Sequence, residues 1–154
     1  MKKIDAGFDA VILAAAGLRR SGLFDPATCH AAPELLPAPG QGALALQCRA
    51  RDERTIAILR SLHHEPTAVC VSAERDLVLK LKGDCHSPIA ALATITGERA
   101  MLSTAVGNRD GRPPVVRVER IEPLQRLHIL VDAVFVDLVA LGAESMLRSS
   151  LEPD

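Results

Sequence analysis

Residues 66–119 read PTAVCVSAERDLVLKLKGDCHSPIAALATITGERAMLSTAVGNRDGRPPVVRVE, and this stretch decides the fold. Pro66 suits the first turn of a helix, and Cys70, Ala73, Leu77 and Leu81 recur at three- and four-residue intervals, forming one apolar stripe. Gly83 ends that helix, which leaves Asp84, Cys85 and His86 in a loop before Pro88. Three strands are expected next, at Ile89–Thr96, Ala100–Val106 and Val115–Glu119. Gly97 falls in the first connection and Asn108 to Gly111 in the second, so both read as hairpins. A last helix starts near Leu124, with Leu127, Val131, Val134, Leu138 and Leu141 on one face, and Gly142 interrupts it. A helix, three antiparallel strands and a second helix predict a small α+β domain: a three-stranded antiparallel sheet with helices on one face. The other face would be open to water or a partner.

Upstream, the pattern is broken. Phe8 to Ala14 reads as a buried strand and Ala15 to Ser21 as a short helix closed by Gly22. A lone strand and helix cannot bury both faces, so this piece is expected to be an α/β remnant of a neighbouring domain. Residues 23–42 are rich in Pro, Gly and Ala and read as a connector ending in a tight Gly40-Gln41-Gly42 turn. Ala43 to Arg49 is a further strand candidate. Asp52 is a plausible N-cap for a helix running to about Leu62, with Ile56, Leu59 and Leu62 at helical spacing.

Apolar residues make up 48% of the 154 and aromatic residues 2%, with neither Trp nor Tyr, so the core must be aliphatic. A net charge of −1 offers no general attraction for nucleic acid or acidic membranes. No charged-then-apolar leader and no apolar run of about 18 residues is present, so a soluble cytoplasmic chain without a membrane anchor is expected. The cysteines Cys29, Cys48, Cys70 and Cys85 form no C-x-x-C pair, and a disulfide framework is not expected. Nor is a metal site: the neighbours Cys29-His30, His63-His64 and Cys85-His86 lack finger-like spacing.

Three stretches converge on one family. Phe8-Asp9-Ala10-Val11-Ile12-Leu13-Ala14-Ala15-Ala16-Gly17-Leu18-Arg19-Arg20 resembles the strand and helix of porphobilinogen deaminases (hydroxymethylbilane synthases). Leu36-Pro37-Ala38-Pro39-Gly40-Gln41-Gly42-Ala43 is similar to the segment that follows it there. Glu74-Arg75, then Leu81-Lys82-Gly83-Asp84-Cys85, then Pro88-Ile89-Ala90, resembles that family's cofactor-cysteine signature. Order and spacing agree as well. The resemblance implies an enzyme of tetrapyrrole (heme) biosynthesis that joins four porphobilinogen molecules with loss of ammonia. Growth would occur on a dipyrromethane cofactor held by a thioether to Cys85. By the same resemblance, residues 1–36 would end the second domain, 37–64 would cross back to the first, and 65–154 would form the cofactor-anchoring third domain. The family's catalytic aspartate, a lysine and several arginines belong to an amino-terminal half that this sequence does not contain. No catalytic residue is therefore expected here, and the chain alone is expected to be inactive. Its partners would be porphobilinogen, the growing pyrrole chain and the missing half.

The residue types suit that chemistry. Loss of ammonia leaves an electrophilic carbon, for which a thiolate is the best protein nucleophile, and a thioether then resists thiol exchange. The alternative for Cys85 is an inert loop residue. Porphobilinogen carries two carboxylates, which suit the planar fork of an arginine. The resemblance points to Arg20 ahead of its neighbour Arg19, against the alternative of a solvated surface charge. Gln41 and Gly42 would line the pocket beside the rings, or serve only as a turn. Ala14, at the end of the expected strand, could line the same cleft. Glu74 and Arg75 read as structural charges on a helix surface. Two positions depart from the family: Asp84 stands where it usually has a small residue, and Ser87 where it has an aliphatic one. The Asp84 carboxylate is expected to work against a thiolate at Cys85, and a charged His86 to favour one. A non-catalytic module or a small-anion-binding protein remains the alternative function.

Overall fold

The computed structural model describes residues 7–148, so the two ends, 1–6 and 149–154, lie outside the described residues. The chain divides into two compact units between Leu35 and Leu36. The first unit contains one helix, α1 (Ala15–Arg20). The second contains α2 (Glu53–Arg60), α3 (Glu65–Lys80), β1 (Ile89–Thr96), β2 (Arg99–Gly107), β3 (Val115–Pro123), α4 (Leu127–Ala140) and α5 (Ala143–Arg148).

The apolar stripe of α3 is inward as expected: Ala73, Leu77 and Leu81 are buried, and Cys70 packs against them. His64 caps this helix by accepting the Thr67 N–H, and Pro66 sits in its first turn. The three strands pair in the order β1-β2-β3, antiparallel throughout. In register, Ala91 faces Thr104 and Ala93 faces Leu102, so alternate residues share a face. Ile89, Ala91, Ala93, Ala100, Leu102 and Val106 join one core with Leu77 of α3 and Leu130, Val134 and Leu138 of α4. The core is aliphatic, and each fully buried leucine is worth about 1.5–3 kcal/mol relative to exposure. Two ion pairs fasten α4, from Lys80 of α3 to Asp132 and from Arg120 of β3 to Asp137.

β3 runs four residues beyond the expected Glu119. Its charged residues conceal the strand end in sequence, yet the ladder continues through Ala100 opposite Glu122 and Arg99 opposite Pro123. The last helix starts with a 3₁₀ turn at Leu124–Arg126, and Gly142, at φ +87°, breaks it before α5. Asp52 caps α2 as expected, accepting from the Thr55 N–H at 3.0 Å and its hydroxyl at 2.8 Å. That helix stops at Arg60, so Leu62 is not part of it and is exposed.

Two expected strands are absent. Residues 8–14 form no ladder, and Phe8, Ile12 and Leu13 are exposed. Residues 43–49 likewise stay unpaired, with Leu44 85% exposed. An apolar run shows that a segment wants cover, but a strand exists only once a neighbour takes up its N–H and C=O groups. Among the described residues neither segment has such a neighbour.

Candidate functional site

Cys85 occupies the short loop between α3 and β1, and the loop is built from its ends inward. At the helix end, the Lys82 and Gly83 N–H groups donate to the Leu79 and Val78 carbonyls at 3.1 and 2.9 Å. Lys82 takes a left-handed conformation, φ 53°. A side chain at Gly83 would place its Cβ 2.5 Å from Cδ1 of the buried Ile89, so only glycine lets the loop pass so close to the core. Beyond Pro88 the loop is tied down again, because the Pro88 carbonyl accepts the Gly107 N–H of β2 at 3.0 Å.

Between those ties lies a polar cluster. Asp84 Oδ1 accepts the His86 N–H and the Ser87 hydroxyl, both at 2.9 Å, while Ser87 Oγ accepts the Asp84 N–H at 2.9 Å. Arg109, from the β2–β3 connection, places Nη2 at 3.2 and 3.1 Å from the two Asp84 oxygens and 3.2 Å from Ser87 Oγ. The Ser87 hydroxyl, the His86 N–H and the Arg109 guanidinium hold the Asp84 carboxyl down at about 2. This alters the expectation for Asp84. Its carboxylate is turned onto Ser87 and the backbone of the loop and onto Arg109 of the β2–β3 connection, so its charge is compensated. The Cys85 side chain stands exposed between the two bonded residues, whereas Cys29, Cys48 and Cys70 are only partly exposed.

The Gly40-Gln41-Gly42 turn is a true turn, with φ +72° at Gly40 and +83° at Gly42 and the Gln41 N–H donating to the Ala38 carbonyl at 3.0 Å. It is held against the outer edge of β1. The Ala91 N–H donates to the Pro37 carbonyl at 3.1 Å. Glu74 completes the attachment: Oε2 accepts the Gly40 N–H at 2.6 Å and Oε1 accepts the Ala93 N–H at 2.8 Å. Glu74 is thus structural as expected, but it is no surface charge; it is 5% exposed. Its role was hidden because the groups it joins come from positions 40 and 93. The only sequence signal was the Glu-Arg pair within the signature. Gln41 and Gly42 remain exposed.

The second unit therefore gathers the Cys85 loop and the Gly-Gln-Gly turn around one strand: the loop runs into the start of β1 and the turn lies along its edge. A cleft of about 420 Å³ opens at the start of β1, lined by apolar Leu36, Pro88 and Val115 and by polar Ser87, Asn108 and Arg112. Ala14 and Arg20 belong to the first unit. Ala14 is the exposed residue that precedes α1, and Arg20 is the exposed last residue of that helix. Arg19 lies over Phe24, its guanidinium carbon 4.9 Å from the ring centre, and both arginines are exposed. Among the described residues, no group of three or more His, Cys, Asp or Glu could hold a metal, and no helix is long and apolar enough to cross a membrane.

Comparison with known proteins matches the chain in two parts. Residues 1–57 match the family model "porphobilinogen deaminase, dipyromethane cofactor binding domain", and residues 68–133 match "porphobilinogen deaminase, C-terminal domain". A porphobilinogen deaminase of Coxiella burnetii (strain Dugway 5J108-111) is 40% identical over 156 residues, covering 96% of this chain and 48% of that protein. One from Listeria innocua is 47% identical over 116 residues, covering 72% of this chain and 38% of the relative. One from Listeria welshimeri is 49% identical over 108 residues, covering 68% and 35%. The chain spans about half the length of the first of these relatives.

Proposed function

The chain belongs to the porphobilinogen deaminase family, and from that membership we propose that it supplies the cofactor anchor of a hydroxymethylbilane synthase, with Cys85 as the attachment point. One observation carries this reading: among four cysteines, Cys85 alone is exposed, on a short loop tied at both ends, inside the segment matching the family's carboxyl-terminal domain. The residues fit the dipyrromethane group. An outward thiol with open space around it can form a thioether, and the loop ties keep the point of attachment fixed. When bound, dipyrromethane supplies the pyrrole end onto which further porphobilinogen units condense.

The chain's own residues have limited tasks. Cys85 would hold the group through one carbon–sulfur bond formed as the aminomethyl carbon loses its ammonia, the thiol proton leaving with that ammonia. Arg20 pairs with a carboxylate of the substrate or growing chain. Gln41 and the backbone of Gly42 offer donors at a turn fixed by Glu74, and Ala14 contributes a small side chain just before α1. These four lie in the segment that matches the family's cofactor-binding model, which supports a role for them toward the cofactor. Residues 1–36, 37–64 and 65–154 keep the three-part assignment drawn from the resemblance. No residue of the set is a positioned proton donor for ammonia loss, a step where such a group contributes about 10²–10⁴ in rate. We therefore infer that the 154-residue chain alone does not turn over and that an amino-terminal half completes the site. The cytoplasm is the setting proposed for it.

Intact-mass measurement on the purified chain, before and after exposure to porphobilinogen with an amino-terminal half from a related enzyme, tests the anchor. The expected result is a two-pyrrole increment that maps to the Cys85 peptide and vanishes in Cys85→Ser. Product formation that persists in Cys85→Ser without any adduct refutes the assignment.

A further inference from the structure

The Cys85 loop carries a second set of residues whose arrangement calls for a role of its own. Asp84 and Ser87, the two departures from the family pattern, are bonded to each other three times, and both are bonded to one Nη2 of Arg109. Arg109 reaches them from 22 and 25 residues away along the chain, across the β2–β3 connection. That connection is itself braced. The Gly111 N–H donates to the Asn108 carbonyl at 3.0 Å, the Asn108 side-chain amide donates to the Arg112 carbonyl at 2.9 Å, and the Arg112 N–H donates to Asp110 at 2.9 Å. Arg109 is therefore presented from a hydrogen-bonded turn. Its side chain is 21% exposed, against 56% for Asp84. Its Nε is the one buried side-chain nitrogen or oxygen among the described residues without a hydrogen-bond partner. Burying an unpaired N–H is unfavourable, and the contacts of Nη2 with Asp84 and Ser87 offset that cost.

We propose that Arg109 is a positioning residue for Cys85: through Asp84 and Ser87 it latches the cysteine-bearing loop to the β2–β3 connection and so fixes the direction in which the thiol projects. Four hydrogen bonds among residues 84–87 shape the loop, and the Arg109 contacts join that shape to the sheet. With the latch closed, the residues on both sides of Cys85 cannot rotate independently of β2. The latch stands on these contacts alone; its bearing on an attached pyrrole chain rests on the assignment of Cys85 above. In that reading, the latch defines the pivot about which the chain swings as it lengthens.

Amide hydrogen exchange on the full chain tests this, with Arg109→Gln, Arg109→Lys, Asp84→Asn and the double variant Arg109→Gln/Asp84→Asn. In Arg109→Gln the amides of Asp84, His86 and Ser87 should exchange about tenfold faster, while the paired amides of β1 and β2 keep their protection. Arg109→Lys, which keeps a charged donor, should recover most of the protection. The double variant should exchange no faster than the faster single variant, because both substitutions open the same latch. Unchanged exchange at 84–87 in Arg109→Gln, a rise spread equally over the sheet, or additive effects in the double variant would each overturn the proposal. Intact mass reads the other assignment separately: a missing adduct on Cys85 removes the anchor without altering the exchange result, and the reverse holds as well.

Discussion

Glu74→Gln probes the attachment that brings the Gly-Gln-Gly turn to the domain of Cys85. The native carboxylate offers one oxygen to the Gly40 N–H at 2.6 Å and the other to the Ala93 N–H at 2.8 Å, in a site where Glu74 is 5% exposed. Glutamine has nearly the same shape but a single acceptor. One backbone N–H must then face the amide NH₂, donor against donor. Hydrogen bonds to a charged group are worth about 1.5–3 kcal/mol, and a buried donor left unpaired costs about 1–3 kcal/mol. Neutralising the side chain also relieves the desolvation cost of a buried charge, which offsets part of the loss. The net expectation is a destabilisation of about 2–3 kcal/mol, a large share of the 5–15 kcal/mol typical of a domain. For a unit of this size, about 4 °C per kcal/mol gives a fall in Tm of roughly 8–12 °C. Thermal unfolding followed by circular dichroism measures the fall, and exchange at the Gly40 and Ala93 amides locates it. A Tm within about 2 °C of the wild type, with both amides as protected as before, would refute the bridging role.

Other consequences are open to equally direct measurement. Gly83→Ala should lower stability by about 1–3 kcal/mol in urea unfolding, since the added methyl meets Ile89 Cδ1 at 2.5 Å in a packed core. Because the Asp84 carboxyl is held at about 2 in the folded loop, below the ordinary 3.8, its contribution is complete above roughly pH 5 and is lost as the pH falls through 2. The urea midpoint of the wild type should therefore exceed that of Asp84→Asn by a constant margin at neutral pH, and the two should converge near pH 2; a margin independent of pH would contradict the assigned bonds. Porphobilinogen supplied to the chain alone should give no hydroxymethylbilane above background, and product from that mixture would overturn the inferred need for an amino-terminal half.

Local regularities made much of the fold readable. The stripe Cys70, Ala73, Leu77, Leu81 repeats within a few residues, as does the alternation of Ile89, Ala91 and Ala93, and both survive intact in the core. The turns at Gly97 and Asn108–Gly111 were equally local, because glycine and asparagine state their backbone preference without help from distant residues. Cys85 was legible too, through its neighbours in the chain. Where the reading failed, the missing information was a partner. Phe8 to Ala14 and Ala43 to Arg49 have the composition of strands, but a ladder is a property of two segments, and no sequence window contains the second.

The site divides along the same line. Sequence by itself determined the family, the loop cysteine and the Gly-Gln-Gly turn, because each depends on residues close together in the chain. Tertiary structure alone decided that Glu74 is a buried bridge and not a surface charge, since its environment is made by Gly40 and Ala93. It also decided that Asp84 faces Arg109, so that the carboxylate next to Cys85 is matched by a cation brought from the far end of β2. A charge carries the same formal value wherever it stands in the sequence. What it does depends on which donors the fold brings within about 3 Å of it, and those distances are set only when the sheet closes.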